Sequence, residues 1–442
     1  MTSVVGILNK RGLAIAADSA VTRTRSRRGN EEEKVTKNGN KMVRMSDVDP
    51  IAVMITGSAD FLGVPWDVIV RRFRQRRGEE KKHYKSVEEC VYDFFDYVAS
   101  NETLWNDVQC HSYLCSLASG LFNKAMLEIS FENDRNDDFT MEYPEEFVQA
   151  FTSILSRIAK EKLSGLGSPH FKGYSFDEFR RDAAETLDGF FLRYTDSLDL
   201  GAFPETFPEK VLKAIRPTFE AALLAVMGSK MENDKSSRLV FTGYGVDQEF
   251  PSLVSAVICE GYAHRVNYSI APEDVVYITE DRPVAICPFA QDDVMRAILK
   301  GMHFDWSEKA FEELDQMTAG GLDSVVYSMV PEEEAGYLYE NLFSVNVEDL
   351  KNAFYWEGGQ LFKENEHKWE RGLERYNPED LAVIADSFID LTGLHRALTF
   401  QQEGVGGIVD LAVITKDEGF KWLRRKGWYH RDNHGKDGSM GI

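Results

Sequence analysis

The first residues able to do chemistry stand at the front of the chain. Thr2 lies directly behind Met1 and opens the apolar run Ser3-Val4-Val5-Gly6-Ile7. Asp18 closes the next apolar run, Gly12 to Ala17. Once Met1 is removed, Thr2 carries a hydroxyl and a free α-amine on one residue. A threonine hydroxyl is a poor nucleophile until a base takes its proton, and an α-amine with a pKa of about 7.7–8.0 is one of the few bases near neutrality. The chemistry open to such a residue is attack on an amide carbonyl. The plain alternative is a β-hairpin whose second residue happens to be small and polar.

Other reactive types are scattered. His430 and His434 have ligand-like spacing, but they sit in a polar, glycine-rich tail over 430–442 that reads as frayed. His111, His264 and His395 are isolated. The five cysteines include no C-x-x-C pair, so neither a disulfide framework nor a zinc site is expected. Gly165-Leu166-Gly167 lacks a preceding strand and reads as loop punctuation, not a phosphate cradle. Arg23, Arg25, Arg27 and Arg28 precede Glu31-Glu32-Glu33 in what reads as an exposed loop, with anion binding as the sharper alternative.

Composition narrows the classes. A hydrophobic share of 43% over 442 residues is enough for a packed core. The net charge of −22 speaks against a nucleic-acid binder, which needs a basic face. No apolar run approaches the roughly 20 residues that span a bilayer, and no signal peptide is read at the N-terminus, so the expected setting is a reducing cytoplasm with no membrane partner.

The elements that must position Thr2 and Asp18 follow in order. Residues 3–8 and 12–21 read as a hairpin. Strands follow at Lys41–Met45 and Ile51–Ile55, and the period turns helical from Asp60. Arg71 to Lys85 reads as a helix end and solvated linker. Apolar stripes at helical spacing cover 87–99, 112–129, 146–163, 176–194 and 209–227. Four strands are expected at 238–245, 253–259, 264–270 and 284–287, with a turn at Glu260-Gly261. A short helix then follows Asp292-Asp293, and 303–375 is again mainly helical. A helix from Pro378 and a last hairpin, 407–414 with 419–423, complete the order.

In this order the chain resembles the proteasome β-subunit family, which includes the bacterial proteasome-like ATP-dependent peptidase and belongs to the N-terminal nucleophile hydrolases. The residues that carry the resemblance are Thr2, Asp18, the lysine-led strand Lys41-Met42-Val43-Arg44-Met45 and Gly57-Ser58-Ala59-Asp60. Phe241-Thr242-Gly243-Tyr244-Gly245, Ala285-Ile286-Cys287 and Gly406-Gly407 extend it. The resemblance implies an α+β, four-layer αββα sandwich forming one domain over 1–442. Its core would be 2–77, 236–302 and 376–428, with helical insertions at 78–235 and 303–375.

Carried over by position, Thr2 is the nucleophile, Asp18 the aspartate that orients a lysine, and Lys41 that lysine. Lys34 is the alternative by distance along the chain. A lysine ammonium beside the amine favours the neutral amine and the developing alkoxide. The Gly57 N–H would face the oxyanion, a donor whose loss typically costs about 10²–10³ in rate. The implied reaction is acyl transfer from an amide to Thr2 followed by ester hydrolysis, and it needs neither metal nor cofactor. A polypeptide or other amide is the implied substrate, a homo-oligomer the implied assembly, and an ATPase partner is left open.

The pattern departs from the family at three supporting positions. Pro288, Gln402 and Val405 stand where the family has serine, aspartate and serine, with Gln291 and Glu403 as polar neighbours. A catalytically inactive assembly or regulatory protein, and an amidohydrolase for a small substrate, are therefore the other functions the sequence allows.

Overall fold

The computed structural model describes residues 2–27, 30–36, 39–135, 144–163, 167–197, 209–229, 236–301, 309, 360–399 and 407–426. Over 21–36, 130–135, 144, 193–197 and 209–210 only the backbone is described. The protein is a mixed α/β structure with antiparallel sheets. Its first strands are β1 (Ser3–Asn9), β2 (Gly12–Ala17), β3 (Val21–Arg27), β4 (Asn30–Thr36), β5 (Met42–Arg44), β6 (Ile51–Gly57), β7 (Asp60–Phe61) and β8 (Val64–Pro65). Helices α1 (Trp66–Glu79), α2 (Val87–Ser100), α3 (Asp107–Arg135), α4 (Pro144–Leu163), α5 (Phe176–Ser197) and α6 (Glu209–Gly228) follow. Next come β9 (Ser237–Gly243), β10 (Ser252–Tyr262), β11 (Arg265–Ser269), β12 (Val275–Tyr277), β13 (Val284–Ala290) and α7 (Asp293–Lys300). The last described elements are α8 (360–373), α9 (Pro378–Leu398), β14 (Asp410–Thr415) and β15 (Gly419–Arg424).

The chain separates into two compact units. The first, Met1–Lys41, Glu249–Ser252 and Tyr277–Ile442, holds a five-stranded sheet in the order β13-β1-β2-β14-β15. Val5, Ile7, Ala14, Ala16, Leu411 and Val413 share one face and pack on Leu381, Ala385 and Phe388 of α9. The other face is buried too, which is why β1 and β2 read as near-continuous apolar runs instead of alternating. Asn9 closes the turn between them. Its Oδ1 accepts from the Arg11 and Gly12 N–H groups, and its Nδ2 donates to the Leu373 and Tyr376 carbonyls.

The second unit, Met42–Gln248 and Leu253–Val276, has the sheet order β11-β10-β9-β6-β5, with β12 beside β10. Helices α1 and α2 cover it through Trp66, Phe73, Phe94 and Phe95, of which Phe94 and Phe95 meet Phe241 and Phe95 stacks on Tyr268. The five apolar stripes are α2 to α6, and α3–α6 enclose a separate core around Phe122, Phe151, Phe190 and Phe219. Both ends of this four-helix block attach to the β10–β11 hairpin. Trp105, just before α3, lies 5.1 Å from the His264 ring, and Asn267 Nδ2 donates to the Met227 carbonyl at the end of α6 at 2.5 Å.

Several sequence expectations are corrected. The charged stretch after Ala20 is not a loop: β3 and β4 pair from Val21↔Thr36 to Arg27↔Asn30, because β-branched Val21, Thr22, Thr24, Val35 and Thr36 punctuate the charges. Helix α1 starts at Trp66, after a two-residue turn in which Leu62 and Gly63 have φ of 48° and 78°. It also runs through the arginines to Glu79, so Arg71–Glu79 is helix and not linker. The bidentate Arg77–Asp93 bond, joined by Lys82 and the Tyr84 hydroxyl on the same carboxylate, fastens the end of α1 to α2. Glu260-Gly261 is a bulge and not the turn; β10 continues to Tyr262, and Ala263-His264 turn with φ of 48° and 58°. Of 303–375, residue 309 and 360–375 are described, and 360–373 is helical.

Gly243 ends β9 with φ of 144°, and a Cβ there would stand 2.0 Å from the Pro50 carbonyl oxygen. Gly243→Ala is expected to lower the unfolding free energy by about 1–3 kcal/mol, read from urea denaturation midpoints. An unchanged midpoint would remove this close approach from the account.

Candidate active site

Strand β1 is held on both sides. Val4 pairs with Ala17 of β2 and Val5 with Pro288 of β13. Beyond the last β1–β2 pair the ladder continues, as the Asp18 N–H donates to the Ser3 carbonyl at 3.1 Å. The Asp18 side chain then turns back: its Oδ1 accepts the Ser3 N–H at 2.9 Å, and its Oδ2 accepts the Ala20 N–H at 3.2 Å. The backbone that carries Thr2 is therefore tied directly to the aspartate.

Lys41 Nζ donates to the same Oδ1 at 2.7 Å. Both side chains are buried, at 6% exposure for Lys41 and 0% for Asp18. Burial pushes the Lys41 ammonium below its ordinary value, Asp18 opposes that fall, and the nearby Lys426 cation adds to it. One carboxylate oxygen thus gathers the ammonium and the Ser3 amide. Lys34 lies in β4 opposite Arg23, and its side chain is outside the described residues.

Thr2 itself is 9% exposed, and its carbonyl accepts the Gln291 N–H at 3.0 Å. That bond depends on an unusual backbone. Ala290, opposite Ser3, has φ of 67°, and the Asp292 N–H folds back to its carbonyl at 3.0 Å. A left-handed alanine stores strain of order 1 kcal/mol, and such outliers collect where structure is arranged for function. The hydroxyls of Ser3, bonded to Asp18 across the strands, and of Ser19, next to it in sequence, are buried and have no hydrogen-bond partner among the described residues.

Gly57 belongs to the second unit. It closes β6 opposite Ser237 with φ of 73°, and a Cβ would stand 2.3 Å from the Ser236 carbonyl oxygen, so only glycine fits. Pro288 lies within β13. Gln402, Glu403, Val405, His430 and His434 lie outside the described residues. His111 bonds the Thr186 hydroxyl and His264 packs against Trp105 with the rings tilted. No group of three His, Cys, Asp or Glu side chains suited to a metal occurs among the described residues. No helix among them is long and apolar enough to cross a membrane. An open groove along α1 is lined by Arg71, Arg72, Arg74 and Glu79, and there Arg71 and Arg74 already face Asp67 and Asp47.

Two charged residues beside the site escaped the sequence reading. Asp410 starts β14 opposite Ala17, and Lys426 follows β15 and pairs with it. The available signal was a lone carboxylate inside Gly407-Ile408-Val409-Asp410-Leu411-Ala412, a run otherwise suited to burial.

Removing Asp18 leaves Lys41 buried without its counter-ion. Asp18→Ala is expected to lose about 3–5 kcal/mol of stability in urea unfolding, and adding Lys41→Met to recover most of it. Equal losses in single and double variants would show that the pair is not coupled. Because folding lowers the Lys41 pKa, the unfolded chain holds that proton more tightly between the folded and unfolded values. Lys41 therefore contributes more stability as pH rises through that window. The stability gap between wild type and Lys41→Met is expected to shift in favour of wild type on raising the pH towards about 10.4. A gap independent of pH would contradict the direction given. No protein-family model, curated protein or solved structure matches this chain.

Proposed function

We propose that the protein is an N-terminal nucleophile hydrolase of the proteasome-subunit type, cleaving a polypeptide or other amide through Thr2 after removal of Met1. The observation that carries this reading is the single Asp18 oxygen that binds both Lys41 Nζ and the Ser3 N–H. It ties a buried ammonium to the backbone that bears Thr2. In the reaction the Thr2 α-amine takes the hydroxyl proton and the hydroxyl oxygen attacks the carbonyl; the scissile C–N bond then breaks, and the substrate's leaving amine departs with that proton. Water then cleaves the Thr2 ester. The Lys41 charge lowers the proton affinity of the amine and stabilises the alkoxide, and Asp18 keeps Lys41 charged and aimed. Gly57 is the oxyanion donor assigned by the resemblance, and its left-handed backbone is consistent with a position reserved for glycine.

The four-layer sandwich belongs to the same proposal. It is supported by two antiparallel sheets built from early and late strands, with α9 on the first and α1 and α2 on the second. Pro288, standing where the family has a serine, favours one second reading: a protein that keeps the fold and has lost turnover.

An electrophile directed at N-terminal threonine separates these. Intact mass of the purified protein is expected to show loss of Met1 and one added label, abolished by Thr2→Ala, Lys41→Ala or Asp18→Ala. A retained Met1 with no labelling would sink the hydrolase reading. Undiminished labelling in the Lys41 and Asp18 variants would sink the roles given to them.

A further inference from the structure

A second buried ion pair stands beside the first. Asp410 lies in the same cross-strand row as Val4 and Ala17, one residue before Asp18. Both its carboxylate oxygens are used by one residue: Oδ1 accepts the Lys426 N–H at 2.8 Å and Oδ2 accepts Lys426 Nζ at 3.0 Å. The side chains are 4% and 12% exposed. Lys426 Nζ also donates to the Gly39 carbonyl. The Gly39 N–H in turn donates to the Ser19 carbonyl at 3.0 Å, closing the base of the β3–β4 hairpin. Two residues later the chain delivers Lys41 to Asp18.

A pair of this kind contributes little to stability as such. The desolvation of two ions roughly cancels their attraction, and apolar residues of similar volume hold a sheet edge at least as well. Its use here is positional. Lys426 joins the β14–β15 hairpin to a piece far away in sequence, the return of the β3–β4 hairpin at Gly39. It also brings a second cation near Lys41, with Asp410 as its counter-charge. Asp18 and Lys426 act on Lys41 directly, with opposite signs, and Asp410 enters as the counter-ion of Lys426.

We propose that Asp410 and Lys426 are positioning residues for Lys41, fixing the Gly39–Lys41 backbone and setting the charge that Lys41 faces. Their link to catalysis rests on the reading of Thr2 as nucleophile; their action on Lys41 does not. If the pair acts as stated, its two members have opposite effects. Without Lys426, Lys41 loses a like charge and holds its proton to higher pH. Without the Asp410 charge, the Lys426 cation is uncompensated and Lys41 gives up its proton at lower pH. A role confined to folding predicts no such opposition.

The test is a pH titration of the Lys41 side chain by NMR in the full chain labelled with ¹³C-lysine, its signal assigned by loss in Lys41→Arg. Lys426→Met is expected to raise the midpoint by about half a unit to one unit, and Asp410→Asn to lower it by a similar amount. Lys426→Arg, which keeps the charge, leaves it in place. Shifts in the same direction, or no shift in either variant, overturn the proposal. Thr2 labelling in the same samples keeps the two claims apart. Opposed Lys41 shifts without labelling support the pair and reject the hydrolase. Labelling with an unmoved Lys41 does the reverse.

Discussion

A buried ammonium has to be answered by a fixed anion, and in this protein much of the first unit is arranged around that need. Lys41 and Asp18 meet at 2.7 Å with almost no access to water. A surface pair at that distance contributes little, but a buried one makes each partner depend strongly on the other's position. The Asp18 carboxylate is held by two backbone amides, Ser3 and Ala20, as well as by the lysine.

That sheet is assembled from pieces distant in sequence. β1 lies between its neighbour β2 and β13, and β2 lies between β1 and β14, so the front of the chain is ordered only once residues near 290 and 410 are in place. The same late strands supply the details around Thr2. Ala290 takes a left-handed backbone, turning the Gln291 amide onto the Thr2 carbonyl, and Asp410 sets a carboxylate beside Ala17. A pairing pattern of this separation has a high loop-closure cost during folding, offset only when several strands dock together.

How much of this was legible in the sequence differs by element. Helices α2 to α6 were, since their apolar stripes repeat at helical spacing and Ser86 caps α2 through the Glu89 N–H. The β1–β2 hairpin and α9, with Asn377 capping and Pro378 in its first turn, were legible for similar reasons. The β3–β4 hairpin was hidden because dense charge masked its β-branched residues. The β10–β11 turn was misplaced because two non-glycine residues, Ala263 and His264, occupy left-handed backbone that sequence patterns reserve for glycine or asparagine. In the candidate site, Asp18 was legible as a carboxylate closing an apolar run, and Lys41 only through the resemblance to a lysine-led strand. Asp410 and Lys426 were not, because their meaning lies in a cross-strand row that only the register of β14 against β2 creates.

The block α3–α6 has a consequence of its own. Its two ends attach to one hairpin, through Trp105 on His264 and Asn267 on the Met227 carbonyl, and its apolar core is separate from that of the sheet. A segment whose ends already lie together adds little closure entropy to the fold that hosts it, whatever its length. Such a segment is also a natural unit of partial opening, able to lose and regain its structure while the strands around it stay paired. The second unit thus carries a module whose length can change at little closure cost, as long as the contacts of its middle with β10 and β11, Ser168 on the Val266 carbonyl and Tyr262 on the Asp182 carbonyl, are kept.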